Sequence, residues 1–231
     1  MKIIAITGGI AAGKTVVSGR LRELGAEVID ADIISREVTA AGGRGAEMIA
    51  EAFGKEFLLP DGEINRRKLR EAVFSDPQKL SALNAITHPL IRENISEKIA
   101  ALNCKYVFVV IPLLFETEVS FRGSSRADSP LGLLGSAARQ TLREARAAAA
   151  ISKNSFIIYD YIWTISADKE TRIKRLIARD NISAEQARAI LANQVSDEIR
   201  ERNADVIFYN NGNIKSLKAR VDEEYSKLGG W

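Results

Sequence analysis

The stretch TGGIAAGKTVV, residues 7–17, directly follows the apolar run Ile3-Ile4-Ala5-Ile6, and nothing else in the chain limits its fold so strongly. Gly8, Gly13, Lys14 and Thr15 satisfy the pattern GxxxxGK[ST]. In that pattern a glycine-rich turn aims successive backbone N–H groups at the phosphates of a nucleotide, the lysine reaches the β/γ oxygens, and the threonine hydroxyl holds Mg²⁺. The motif requires a strand before it and a helix after it. β-Branched Ile3, Ile4 and Ile6 read as a buried strand, and Val16 to Leu24 carries apolar residues at helical spacing before Gly25. A helix N-terminus then meets the phosphates. A chance match in a strand-turn-helix unit is the plainer alternative, and the correct flanks weigh against it. The expected ATP-binding set is Gly8, Gly9, Ala11, Ala12, Gly13, Lys14, Thr15 and Val16. Ala11 and Ala12 stand where glycine would pass more freely through positive φ, so the loop is expected to be stiff.

Strand-like runs recur at 2–6, 26–30, 105–112, 156–165 and 204–209, separated by segments of helical periodicity. This alternation predicts an α/β fold: a doubly wound, five-stranded parallel sheet of the P-loop type in a single domain, 1–231. Within it, 32–104 reads as an inserted helical lobe, with helices over 46–53, 65–74, 77–86 and 89–102. Residues 169–203 read as a helical lid, restarted by the capping box Ser183-Ala-Glu-Gln186, and 214–228 as a closing helix. Residues 120–152 fit least well. They read as an atypical insertion whose second half favours helix, either packing Leu131, Leu134, Leu142 and Ala145 on the domain or touching a second subunit.

Composition narrows the setting. A net charge of +3 spread along 231 residues does not indicate a nucleic-acid partner, and anionic phosphates suffice to explain it. Cys104 is the only cysteine, which suggests a buried structural thiol in a reducing compartment. No apolar run approaches the about 20 residues of a membrane span. A soluble, cytoplasmic protein, monomeric or weakly homo-oligomeric, is expected.

A transferase needs a carboxylate near the γ-phosphate to orient or deprotonate the attacking hydroxyl. VIDADII, residues 28–34, supplies the candidates. With Val28 and Ile29 as second strand, Asp30 and Asp32 fall at its carboxyl end and on one side, where open α/β sheets bind their ligands. Asp30 is equally readable as a helix cap, so Asp32 is taken as the base. Glu116, ending the strand-like VVIPLLFE, could face the same cleft or simply be solvated. Of Arg172, Arg175, Arg179, Arg188 and Arg200, most are expected to face solvent as a mobile cationic cover. Arg179, directly before Asp180, is singled out. His88, the only histidine, precedes Pro89 and reads as a cap at a helix start or a substrate contact.

TGGIAAGKT, VIDADIISREV, DGEINRRKLREAVF, NAITHPLI, VVIPLLFE, RIKRLIARDNIS and ADVIFYNNG, in this order, resemble the dephospho-coenzyme A kinases, which are P-loop kinases of the nucleoside-monophosphate-kinase type. The resemblance covers nearly everything except 120 to about 152. It implies that ATP, with Mg²⁺, phosphorylates the ribose 3′-hydroxyl of dephospho-coenzyme A, the last step of coenzyme A synthesis. It also implies Asp32 as base, Lys14 as loop lysine, Arg179 as lid arginine and Asn210 at the adenine-side turn, with Arg66, Arg67 and His88 in the acceptor lobe. Ala11 and Ala12 replace the usual Gly-Ser pair, Val16 a frequent hydroxyl residue, and Tyr209 a common aspartate. These departures bear on nucleotide preference and rate rather than reaction type.

Three rival readings remain at this point. A kinase of another nucleoside, nucleotide or small metabolite would keep loop and lid. An acceptor-independent regulatory ATPase would want a specificity strand such as NKxD, which the chain lacks. A catalytically weak scaffold binding through 120–152 is disfavoured by the presence of both Lys14 and Asp32.

Overall fold

The computed structural model describes residues 1–74, 76–112, 114–115 and 159–229. Glu116 and the 120–152 stretch lie outside the described residues. The described chain divides into two compact units: residues 30–102 form one, and 1–29 with the described residues from 103 onward form the other.

The larger unit carries the sheet, whose strands are β1 (Lys2–Gly8), β2 (Glu27–Asp30), β3 (Tyr106–Val110), β4 (Tyr161–Ser166) and β5 (Val206–Tyr209). Their order is β2-β3-β1-β4-β5, with β1 parallel to both β3 and β4, and β4 parallel to β5. The first strand made is therefore the central one. Its neighbours β3 and β4 lie on opposite sides of it, and the carboxyl end of such a switch strand is where open α/β sheets bind ligands.

Alternation along the strands divides the core in two. Ile4 and Ile6 of β1, Phe108, Trp163, Ile165 and Phe208 form one face, packed with Val17 and Leu21 of α1 (Lys14–Glu23) and with Leu217, Val221 and Tyr225 of α9 (Ile214–Lys227). Ala5 belongs to the other face, with Leu114, Phe115, Ile162 and Val195. Each fully buried isoleucine or leucine contributes about 1.5–3 kcal/mol. The helices α6 (Lys169–Asp180), α7 (Ala184–Ala192) and α8 (Asp197–Arg202) also belong to this unit. The capping box opening α7 is present: Ser183 Oγ accepts from the Gln186 N–H, and the Gln186 side chain accepts from the Ser183 N–H.

Cys104 is half-exposed rather than buried, its Sγ lying 3.7 Å from the Met1 sulfur. What burial it has, with the charge of Glu27, still raises its thiol pKa.

The smaller unit is helical: α2 (Ala31–Val38), α3 (Arg44–Phe53), α4 (Arg66–Phe74) and α5 (Pro77–Ala100). Ala46, Ile49, Ile64, Leu69 and Val73 make a small core, flanked by Phe53, Phe57, Leu83 and Ile86. The two helices expected over 77–86 and 89–102 are one helix, with Asp76 as N-cap, Pro77 at its start and Pro89 inside it. An internal proline removes one backbone bond and kinks a helix without having to end it. His88 therefore sits mid-helix and caps nothing.

Candidate active site

Gly8 ends β1 and Lys14 opens α1, so the turn between them hands the chain from the sheet's central strand to a helix N-terminus. Gly13, the N-cap, has φ 111°, which an L side chain rarely adopts, and a Cβ there would also strike the Asn210 amide. Gly9 is required for a different reason: a Cβ at that position would run into the Arg172 guanidinium. Ala11 takes the left-handed conformation at φ 59° despite its side chain, whereas Ala12 does not. Lys14 folds back over the loop, its Nζ donating to the Gly8 carbonyl at 2.8 Å and the Gly9 carbonyl at 3.1 Å.

Side chains from far along the chain hold this loop from behind. Arg172 Nε donates to the Ile10 carbonyl (2.9 Å), and the Ile10 N–H donates to Gln194 Oε1 (2.9 Å). Arg175 Nη1 reaches the Ala11 carbonyl at 3.3 Å, and Asn210 Nδ2 donates to the Ala12 carbonyl at 2.7 Å. Asn210 is 3 % exposed, and its own carbonyl accepts from Arg175 Nη2. Behind these, Asp197 accepts twice from Arg172 Nη1 (2.9 and 2.7 Å) and once from Arg200 Nη1 (2.9 Å). Two guanidinium groups share that one carboxylate.

Arg172 and Arg200 are 3 % and 1 % exposed, against the expectation that the arginines of this segment mostly face solvent. They tolerate burial because Asp197 pairs both, with the Ile10 carbonyl and Gln194 also accepting from Arg172. The signal in the sequence was positional. Arg172 stands one helical turn before Leu176, on the same apolar stripe as Ile173. Gln194 and Asp197 carried no such signal. Arg179 and Arg188 are exposed, as expected, and Arg179 forks onto Asp180 at 2.7 and 2.8 Å, a hydrogen bond that raises its pKa. Tyr209 is 62 % exposed, and the charge of Glu201 beside it raises its phenol pKa.

In the smaller unit, Asp30 caps α2 by accepting the Asp32 N–H at 2.9 Å. The strand stops at Asp30, so Asp32 is the second residue of α2 rather than the next residue of a strand, and alternation does not set its direction. Its side chain lies on an exposed position. Arg66 Nη2 donates to Thr39 Oγ1 (2.9 Å), which in turn donates to the Ser35 carbonyl (2.6 Å). His88 is half-buried, and burial first, then the charge of Arg92, lowers its pKa.

For Mg²⁺ the fit is simple. Thr15 presents an exposed hydroxyl in the first turn of α1, and one hard oxygen suits a cation otherwise held by phosphate oxygens and water. Among the described residues no group of three or more His, Cys, Asp or Glu could hold a metal on its own, and no helix is long and apolar enough to cross a membrane.

A dephospho-CoA kinase family model matches residues 2–124 and 151–216. The dephospho-CoA kinase of Aeromonas hydrophila is 37 % identical over 222 residues, 96 % of this chain and 91 % of that one. The crystal structure of TT1252 from Thermus thermophilus is similar at TM-score 0.71 and 27 % identity, over 98 % of this chain and 97 % of that one. A dephospho-CoA kinase from Campylobacter jejuni shares the fold at TM-score 0.59 and 24 % identity, over 98 % and 97 % of the two chains. With the family matched along both sides of the 125–150 gap, this chain belongs to the dephospho-CoA kinase family.

Proposed function

We propose that the chain transfers the γ-phosphoryl group of ATP to the ribose 3′-hydroxyl of dephospho-coenzyme A, giving ADP and coenzyme A. The observation that carries this reading is the braced phosphate loop between β1 and α1 in a chain of this family.

The backbone N–H groups of the loop and the first turn of α1 cradle the phosphates, with Gly8, Gly9, Ala11, Ala12, Gly13 and Val16 supplying the backbone. Lys14 leaves the Gly8 and Gly9 carbonyls for the β/γ oxygens, so its charge follows the one that develops on the bridging oxygen. Thr15 would hold Mg²⁺, which when bound neutralises phosphate charge. Asp32 accepts the proton as the 3′-oxygen attacks, and the bond between phosphorus and the β,γ-bridging oxygen breaks as the new ester forms. Arg179 exchanges its exposed Asp180 partner for the transferring group, at small cost for a solvated pair. Arg66, His88 and Glu116 bind the acceptor, and the turn at Asn210 flanks the adenine. We read the 32–104 segment as the acceptor lobe, 169–203 as the lid and 120–152 as an insertion, in a cytoplasmic monomer or weak homo-oligomer.

The test is ADP release from Mg-ATP with dephospho-coenzyme A, adenosine, AMP or no acceptor, with mass spectrometry of the products. Release stimulated only by dephospho-coenzyme A, with gain of one phosphate, is expected. Acceptor-independent release would overturn the reading in favour of an ATPase.

A further inference from the structure

We propose that Gln194 and Arg172 are positioning residues that clamp the two peptide groups flanking Ile10 and so preset the phosphate loop before nucleotide arrives, an inference that rests on the loop being the ATP site. The clamp is a closed ring of three hydrogen bonds. The Ile10 N–H donates to Gln194 Oε1 (2.9 Å), that same oxygen accepts from Arg172 Nη2 (2.7 Å), and Arg172 Nε donates to the Ile10 carbonyl (2.9 Å). One loop residue thus has both of its backbone groups held by side chains from after β4.

The geometry of the peptide bond turns this grip into an orientation. In a planar trans peptide the carbonyl of one residue and the N–H of the next point in opposite directions. Holding the Ile10 carbonyl toward Arg172 therefore turns the Ala11 N–H the other way. Asn210 does the same one step on, where its bond to the Ala12 carbonyl turns the Gly13 N–H away from Asn210. Between them the Ala12 N–H closes onto the Gly9 carbonyl at 3.2 Å, and Ala11 sits left-handed at φ 59°. Successive amides around a left-handed residue form a concavity that suits an anion.

Arg172 is itself fixed. Its Nη1 is held by both oxygens of Asp197, and its guanidinium lies over Gly9 so closely that no side chain would fit. Gln194 is the softer member, a neutral residue between α7 and α8 that gives the loop an acceptor without adding charge. Remove that acceptor and the Ile10 N–H has to find another, by rotating the Gly9–Ile10 peptide, whose carbonyl accepts from Lys14 Nζ and from the Ala12 N–H that closes the loop.

The experiment compares Gln194→Met, which keeps length and loses the acceptor, with Gln194→Glu, which keeps an oxygen for both donors. Each is measured for Mg-ADP affinity by calorimetry, for KM of ATP and of dephospho-coenzyme A, and for thermal midpoint. The methionine variant loses two hydrogen bonds, of which the one to the Ile10 N–H touches the loop, and is expected to weaken Mg-ADP by about 3- to 10-fold, the net worth of that one bond. KM for ATP should follow while KM for the acceptor stays, and the glutamate variant should restore most of the affinity. Wild-type Mg-ADP affinity in a folded methionine variant, even with a lowered midpoint, overturns the proposal, as does a glutamate variant as weak as the methionine one. Mg-ADP affinity is read without acceptor. A wild-type protein that binds Mg-ADP but does not phosphorylate dephospho-coenzyme A would thus overturn the functional reading while leaving this one to be judged on the variants.

Discussion

Around the phosphate loop, Arg172 and Arg200 are buried and share Asp197, and Arg172 and Asn210 each grip a loop carbonyl, whereas in the helical unit Asp32, Arg66 and Arg67 stand on exposed positions. Buried polar groups must be paired, and once paired they hold one geometry. Exposed charged side chains change partners at little cost. The contrast teaches a division of labour. Phosphate presents the same oxygens in every triphosphate, so its cradle can be built in advance; under the proposed function, Asp32, Arg66 and Arg67 would stay solvated until the acceptor comes.

The hardest blow to that contrast comes from Asp32→Asn, which should lower kcat by about 10²- to 10⁴-fold, the usual worth of a general base, and leave Mg-ADP affinity in place. An unchanged kcat in the coupled assay would remove Asp32 from the chemistry. Next is Arg172→Lys, which keeps the charge but cannot serve Ile10, Gln194 and Asp197 together. Urea unfolding should show a loss of about 1–3 kcal/mol, and full stability would mean that the buried network braces nothing. Ala11→Gly probes the loop's stiffness: relief of the left-handed alanine, offset by a freer unfolded chain, should stabilise by about 0–1 kcal/mol. The Ala11 methyl also packs against the Ile173, Leu176, Ala187 and Leu191 cluster, so a clear destabilisation would show that this packing outweighs the left-handed strain.

The smallest effect concerns His88, whose pKa lies below the ordinary 6.5. As pH falls below 6.5 the unfolded chain takes up the proton before the folded one does, so stability is lost toward acid. His88→Gln should flatten that slope in urea midpoints measured across the range. An unaltered slope would mean that the helical unit's one histidine is as solvated as its neighbours.

The loop motif was legible because its chemistry depends on glycines and a lysine at fixed spacing, and the strands because fully buried parallel strands read as apolar runs. The Ser183-Gln186 capping box was legible for the same local reason. What escaped the sequence depends on distance or context. The Asp30 cap that opens α2 is one of two even readings of the sequence and is the one the structure takes, whereas α5 runs through Pro89 with the Pro77 start already fixing its first turn. Arg172 and Arg200 read as solvated cations because their partner Asp197 is recognisable only once α6 and α8 are in place.

Asn210 grips a carbonyl 198 residues earlier in the chain. This bond has a bearing on synthesis at the ribosome, where β1 emerges before the other four strands but the sheet sets it in the middle. A nascent chain that has extruded the whole glycine-rich motif still lacks β4, the arginines of α6 and the turn after β5. Its loop then has neither flanking strand on one side nor any of its braces. Competence to hold nucleotide therefore arrives late and at one stroke, once the turn after β5 has emerged, and a chain cut before residue 210 carries the motif without its braces.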